Sequence, residues 1–320
     1  MDGKQKALAY SRAYDLFAQL YTHGLTDDLR PILDSLSLLE QDSTSDSEQL
    51  AAQHYQLFGR NVFPYESIFL GTEGLLGGEV TESVAAFYHE VGFSATSHEN
   101  ADHIGVEFSL MAFLCGAESD ALADKVPHHV QRMRHLQRRF LDEHLLLWLA
   151  SCVKAVQEQG QGIYTDIATQ SLALVLEHRQ QLGDDLMLPT SVFALADVPN
   201  LLTDEKTSLR DIAHYLLTPA YTGFFLSSDD IKRLGAKFRV PHGFGNRQQI
   251  LINLLRTAAD YDLFEAVFEE FSIIAKNWLQ YYENLMLPQA IKTPWMARLS
   301  HSITTLSDLR QTAIEANTEI

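Results

Sequence analysis

Apolar side chains recur at three- and four-residue spacing through most of this chain, and alternating runs of Val, Ile and Thr bounded by turns are missing. That period fits the 3.6-residue turn of an α-helix and not the two-residue repeat of a strand, so the expected fold class is all-α. Length narrows the choice, because 320 residues suit one large helical domain or two smaller ones, each with its own core.

Glycines, prolines and capping residues divide the pattern. Tyr10, Tyr14, Phe17 and Tyr21 form one face of a first helix, which Gly24 ends. A second helix follows Thr26 and Asp27 and runs into the polar linker from Gln41 to Ser47. Ser45 and Glu48 have capping-box spacing and open a third helix that stops at Gly59. From Gly59 to Gly78 one proline and five glycines lie among large apolar residues. Such a segment is too broken for a helix and too apolar for a free linker, so a packed irregular loop is predicted, a usual place for a binding site. Further helices are predicted from Thr81 to Gly92, from Asn100 to Asp102 onward with Ile104, Phe108, Met111 and Leu114 on one face, from Pro127 into the 150s, and from Tyr164 to Leu182. Gly183 to Thr203 holds two prolines without a sustained period, which places a domain boundary near residue 204 and gives domains 1–204 and 205–320. Within the second, 216–247 reads as its most irregular stretch.

The formal charge of −18 disfavours nucleic acid or an anionic membrane as a partner, since both need a concentrated positive field. Acidity is steepest at the start, with 15 Asp or Glu against 5 Lys or Arg in the first 100 residues. Cys115 and Cys152 lack CxxC or Cys/His spacing and read as reduced, packed thiols. The longest apolar stretch, Leu145 to Val153, is about half of the roughly 20 residues a spanning helix needs. No membrane insertion is expected. The first residues, MDGKQKALAY, show no apolar signal region, so the expected location is the cytoplasm. There is no P-loop, strand-led GxGxxG or GxSxG, and no bound cofactor or catalytic residue is expected.

The sharpest chemical feature is HENADHIGVE, His98 to Glu107. With a helix starting near Asp102, His103 and Glu107 share a face one turn apart, a spacing that suits a metal or an acid–base pair. His98, His103 and Glu107 together define an alternative reading as a helical metalloenzyme. Against it, no Glu precedes a His by three residues, as a di-iron carboxylate bundle would want. The plainer alternative is that Asp102 caps its helix and His103 bonds into the adjoining loop. His128, His129, Arg132, Arg134, Arg138 and Arg139 make the predicted helix after Pro127 basic, as a solvated face or an Arg-rich contact surface. Gly243 to Arg247 reads either as an anion-friendly turn at a helix start, which a nucleotide-binding regulator would use, or as a plain turn with an N-cap.

The run YQLFGRNVFPYESIFLGTEGLLGG, then FYHEVGF, then ADHIGVEFSLMAFL, with the opening RAYDLFAQLY and the later FLDEHLLLWL, resembles the TorD/DmsD/NarJ family of cytoplasmic chaperones for molybdenum enzymes. Order and spacing agree together over roughly residues 5 to 205, and Ala101 stands where the family usually has proline before Asp-His. The remainder looks like an extension found in a longer subgroup. The resemblance implies a TorD-type helical bundle with an added C-terminal helical region. It also implies a non-enzyme that binds the often twin-arginine signal peptide of an apo-oxidoreductase and holds the enzyme until its molybdenum cofactor is inserted, with cofactor-biosynthesis proteins as further partners. By similarity the peptide site comprises Tyr65, Glu66, Ser67, Asp102, His103 and Glu107. Glu66 and Asp102 would receive Arg or backbone donors, and Ser67 and His103 would fix the peptide backbone. Tyr65 would wall a groove whose apolar lining is Phe69, Leu70, Leu75 and Leu76. That arrangement suits a leader presenting guanidinium groups followed by an apolar segment.

Overall fold

In a computed structural model, the structure describes residues 2–35, 46–95, 99–160, 162–183, 193–201, 207–241 and 243–318, and the side chains of these up to residue 312. Among the described residues the chain is all-α, and the only extended pairing is one isolated antiparallel bridge, Tyr65 with His103. The chain forms two compact units: Met1–Ser67 with Leu76–Val192, and Ile68–Leu75 with Phe193–Ile320.

The first unit begins with α1, Gly3–His23. It is opened by a capping box in which Asp2 accepts from the Gln5 amide, and is closed at Gly24 with φ 75°. Tyr10, Tyr14, Phe17 and Tyr21 do lie on its buried face. After α2, Arg30–Ser35, comes α3, Ser47–Gln56, whose N-cap position is Asp46. Ser45, expected in that role, lies outside the described residues. The third helix does not stop at Gly59: a π-helical turn, Leu57–Asn61, carries it on. The predicted loop then contains a short helix, α4, Glu66–Leu70. Helix α5, Glu79–Val91, ends on Gly92 in the left-handed conformation, and α6 spans Ile104–Ala123. α7, Pro127–Phe140, and α8, Leu146–Glu158, are joined by a second π-helical turn, Leu141–Leu145, and α9 covers Ile163–Gln181.

α6 is buried on almost every face, the signature of a central helix, with α1 packed along one side and α7 along another. Tyr14, Tyr21 and Phe17 of α1 meet Phe108 of α6 with ring centroids 5.7, 5.8 and 6.3 Å apart. Close approach is needed at Gly105, where a Cβ would overlap the Thr22 hydroxyl and press on the Ala18 carbonyl. The Tyr14 hydroxyl lies 3.0 Å from His178 Nδ1, tying α9 to α1.

The second unit holds α10, Leu209–Leu217; α11, Pro219–Thr222; α12, Ser228–Phe238; α13, Arg247–Asp260; α14, Phe264–Asn284; and α15, Gln289–Thr318. The stretch read from sequence as irregular therefore contains α12, which a capping box between Ser227 and Asp230 opens. α14 and α15 pair along their lengths, and Tyr282 stacks on Trp295 with centroids 5.9 Å apart. Phe69 belongs to this unit, fully buried and stacked on Phe225 at 5.4 Å.

Candidate functional site: a buried carboxylate cluster under a pinned loop

Pro64 to Ser67 runs antiparallel to Asp102 to Ile104. The Ile104 amide donates to the Pro64 carbonyl at 2.9 Å, and the Glu66 amide to the Asp102 carbonyl at 3.0 Å. Proline suits the first position because only its carbonyl is required there. Asp102 then adds a side-chain bond, as the Ser67 amide donates to its Oδ2 at 3.0 Å. Asp102 thus caps α4, 35 residues away in sequence, instead of its own helix as expected. The cap of α6 is His103, whose Nδ1 accepts from the Gly105 amide at 3.1 Å. α6 correspondingly starts at Ile104, later than the spacing predicted. Burial pushes the His103 pKa down to about 4 against the pull of Glu99 and Asp102, so the ring is neutral and able to accept that bond.

The six residues implied by the resemblance are brought together, but mostly inside. Glu66 is 3% exposed, Asp102 and Glu107 are 0%, Ser67 and His103 are buried, and Tyr65 is half-buried. Three buried residues that the sequence reading did not place at the site complete its interior. His144 Nδ1 lies 3.2 Å from both Glu66 oxygens. The Tyr88 hydroxyl donates to the Ala101 carbonyl at 2.7 Å, and Trp148 faces Glu107. FLDEHLLLWL contains both His144 and Trp148, and the family-like FYHEVGF contains Tyr88; membership in those runs was the available signal. Glu107 lies against Glu66 and Asp102. Burial first, and those neighbouring carboxylates second, raise its pKa well above the usual carboxylate range, so it holds its proton.

The π-helical turn at Leu141–Leu145 explains how α7 and α8 deliver these groups. Its wider turn sets both Asp142 and His144 inward. Asp142 receives the Arg179 guanidinium in two bonds, 2.6 and 3.0 Å long, which fixes the turn to α9. His144 is then held over Glu66.

At the accessible edge, the Tyr65 hydroxyl donates to the exposed Glu99 carboxylate, and the Tyr65 ring meets His103 at 4.8 Å. Of the expected apolar lining, Phe69 is buried in the second unit and so does not line an open wall, whereas Leu75 and Leu76 are exposed. A separate hollow of about 640 Å³ in the first unit, lined by Leu16, Phe17, Ile32 and Leu174 among others, shares no residue with the cluster.

The metal reading names His98, His103 and Glu107. His98 lies outside the described residues, His103 Nδ1 is engaged with backbone, and among the described residues no three His, Cys, Asp or Glu side chains gather as ligands. The Gly243 to Arg247 turn resolves as an N-cap: Asn246 accepts from the Gln249 amide at 2.9 Å. Arg247 turns inward, 4.9 Å over the Phe225 ring, and donates to the Leu226 and Leu217 carbonyls at 3.3 Å each. It is not available to a nucleotide phosphate.

What Asp102 and Glu66 hold is backbone and a neighbouring ring, within an all-helical fold. Residues 19–154, a span that includes every residue of the cluster, match the family described as nitrate reductase delta subunit. A chaperone protein TorD from Shewanella sp. (strain MR-4) is 29% identical over 191 residues, covering 55% of this chain and 83% of the relative. One from Vibrio vulnificus (strain YJ016) is 30% identical over 171 residues, covering 50% and 78%. A selenate reductase assembly chaperone protein from Thauera selenatis is 29% identical over 117 residues, covering 36% and 56%. No solved structure matches the chain significantly. The chain belongs to the TorD family, a family of chaperones and not of enzymes.

Proposed function

We propose that this protein is a cytoplasmic maturation chaperone for a molybdenum-cofactor oxidoreductase, binding the client's twin-arginine signal peptide and its apo form until cofactor is inserted. Kinship with TorD chaperones and with a selenate reductase assembly chaperone supports the client class. Among the described residues no helix is long and apolar enough to cross a membrane, which is consistent with that location. Cofactor-biosynthesis proteins are proposed as secondary partners on the family likeness alone.

One observation carries the proposed peptide site: the 64–67 segment is pinned across the start of α6, so that Tyr65 and Glu99 sit at an accessible edge directly above buried acids. Guanidinium groups arriving there would meet the Glu99 carboxylate and the negative field of Glu66 and Asp102. Ser67 and His103 hold the shape of that edge through backbone bonds, and Glu107 fills the space beneath. Because Glu66 and Asp102 are internally bonded, their role in this reading is to hold and charge the edge; direct contact with arginine would require the segment to lift.

The test is titration of the full chain with a synthetic twin-arginine leader. Glu99→Gln and Tyr65→Phe should weaken binding about three- to tenfold, the range of one to two charge-assisted bonds at an accessible site. Glu66→Ala and Asp102→Ala should weaken it more, and added salt should weaken wild-type binding. Affinity unchanged in all four variants, with helix content preserved, would remove the site.

A further inference from the structure

The largest departure from the chain's own electrostatics is on α7. Against 42 Asp and Glu and only 24 Lys and Arg overall, this helix carries four Arg and three His and no acid in its 14 residues. Three of its arginines are engaged within the protein. Arg134 bonds Glu118 at 2.6 Å, and Arg139 grips both Glu90 oxygens and lies 3.3 Å from Glu143. Arg138 donates to the Leu182 carbonyl at the end of α9. His128, His129, Arg132 and His135 are different: all are exposed, and among the described residues none forms an ion pair. Glu90 feels the charges of Arg132 and His135, but Arg139 already occupies its carboxylate.

Helix physics opposes this placement. Pro127 opens α7 without a side-chain cap, no acid sits in the first turn, and His128 and His129 follow directly. Free amides and the positive end of the helix dipole favour an anion there and disfavour a cation. The acids closest in sequence, Asp120 and Asp124, belong to the end of α6 and not to the first turn of α7.

We propose that the exposed face of α7 formed by His128, Arg132 and His135, with His129 beside it, docks an acidic segment of a partner polypeptide. The three residues lie at i, i+4 and i+7, a stripe about 10 Å long. That length spans about three residues of extended chain and is too long for one phosphate group. A duplex nucleic acid or an anionic bilayer would press its charge on the surrounding surface as well, where the net −18 opposes it. A short acidic segment stays within about 8 Å of the stripe, the screening length at physiological salt, and meets chiefly the Arg132 guanidinium and the imidazole N–H donors beside it.

The experiment titrates the full chain with a short fluorescent peptide of alternating Glu and Ser, read by anisotropy. Binding should be measurable at low salt and fall about tenfold or more on raising ionic strength well past physiological. Arg132→Glu with His135→Glu should abolish it while helix content and melting temperature hold, and Arg132→Lys should retain most of it. No binding at low salt, or binding indifferent to the charge reversal, would overturn the proposal. So would a duplex of equal charge that binds as tightly and is lost in the same variant, which would assign the face to nucleic acid.

Discussion

Glu107 shows what a single buried acid does to the pH response of the protein. Its folded pKa is raised, by burial and then by Glu66 and Asp102, so the unfolded chain releases that proton first and stability falls as pH rises past the ordinary carboxylate value. His103 and His178 act oppositely. Burial lowers them to about 4 and about 3, so their stabilisation is complete above the ordinary histidine pKa and is lost as pH falls below it. Each group contributes a slope of about 1.4 kcal/mol per pH unit across its window, and two histidines outweigh one glutamate below about pH 6.5. Stability should therefore peak near about pH 6.5 and decline above it. Glu107→Gln keeps the shape and removes the ionisation, so it should flatten the decline above about pH 6.5 and steepen the limb just below it, where the two histidines would then act unopposed. Urea unfolding across that range checks this; an alkaline limb equally steep in the variant would assign the slope to another group.

At the scale of elements, the π-helical turn between α7 and α8 is what aligns the cluster. Its anchor is the Asp142–Arg179 pair, with both side chains buried. Removing one member of such a pair leaves the other charge without compensation, so Asp142→Ala should cost about 3–5 kcal/mol. It should also disturb leader binding through His144, whereas an Asp142→Ala with Arg179→Leu double variant should recover stability without recovering binding. Unaltered unfolding of Asp142→Ala would show that the turn does not depend on the pair. This element also marks how far the sequence could be read. Helix ends marked by local chemistry were legible: Gly24, Gly92 and Pro127 each stand where a helix stops or starts. The π turns were not, because an extra residue in a turn leaves the three- and four-residue spacing nearly intact on either side. Nor was the role of Asp102, since its cap is supplied to α4 through a contact 35 residues distant in sequence. The proximity of residues 64–67 to 102–107 followed from the family likeness, while their burial, which changes what each side chain can touch, followed only from the packing of α6 at the centre.

For the molecule as a whole, the decisive fact is that the second unit is not continuous in sequence. Ile68–Leu75, lying in the middle of the family-like region, belongs with Phe193–Ile320. Phe69 finds its stacking partner, Phe225, in that later stretch, and Phe225 in turn sits under the inward-turned Arg247. A chain cut at residue 204, where proline content suggests a boundary, would therefore keep Phe69 and lose the residues that bury it. Exposing a side chain of that size forfeits about 2–3 kcal/mol of hydrophobic stabilisation and leaves an apolar patch. The 1–204 fragment should accordingly bind an apolar dye and melt below the full chain, and Phe225→Ala in the full chain should cost about 3–5 kcal/mol. Adding residues 205–320 in trans should suppress the dye signal if the intercalated segment is what the second unit needs. A fragment as stable as the intact chain, with no dye signal, would mean that Ile68–Leu75 can be satisfied without the C-terminal helices, and that the two units are energetically separate despite sharing that stretch of chain.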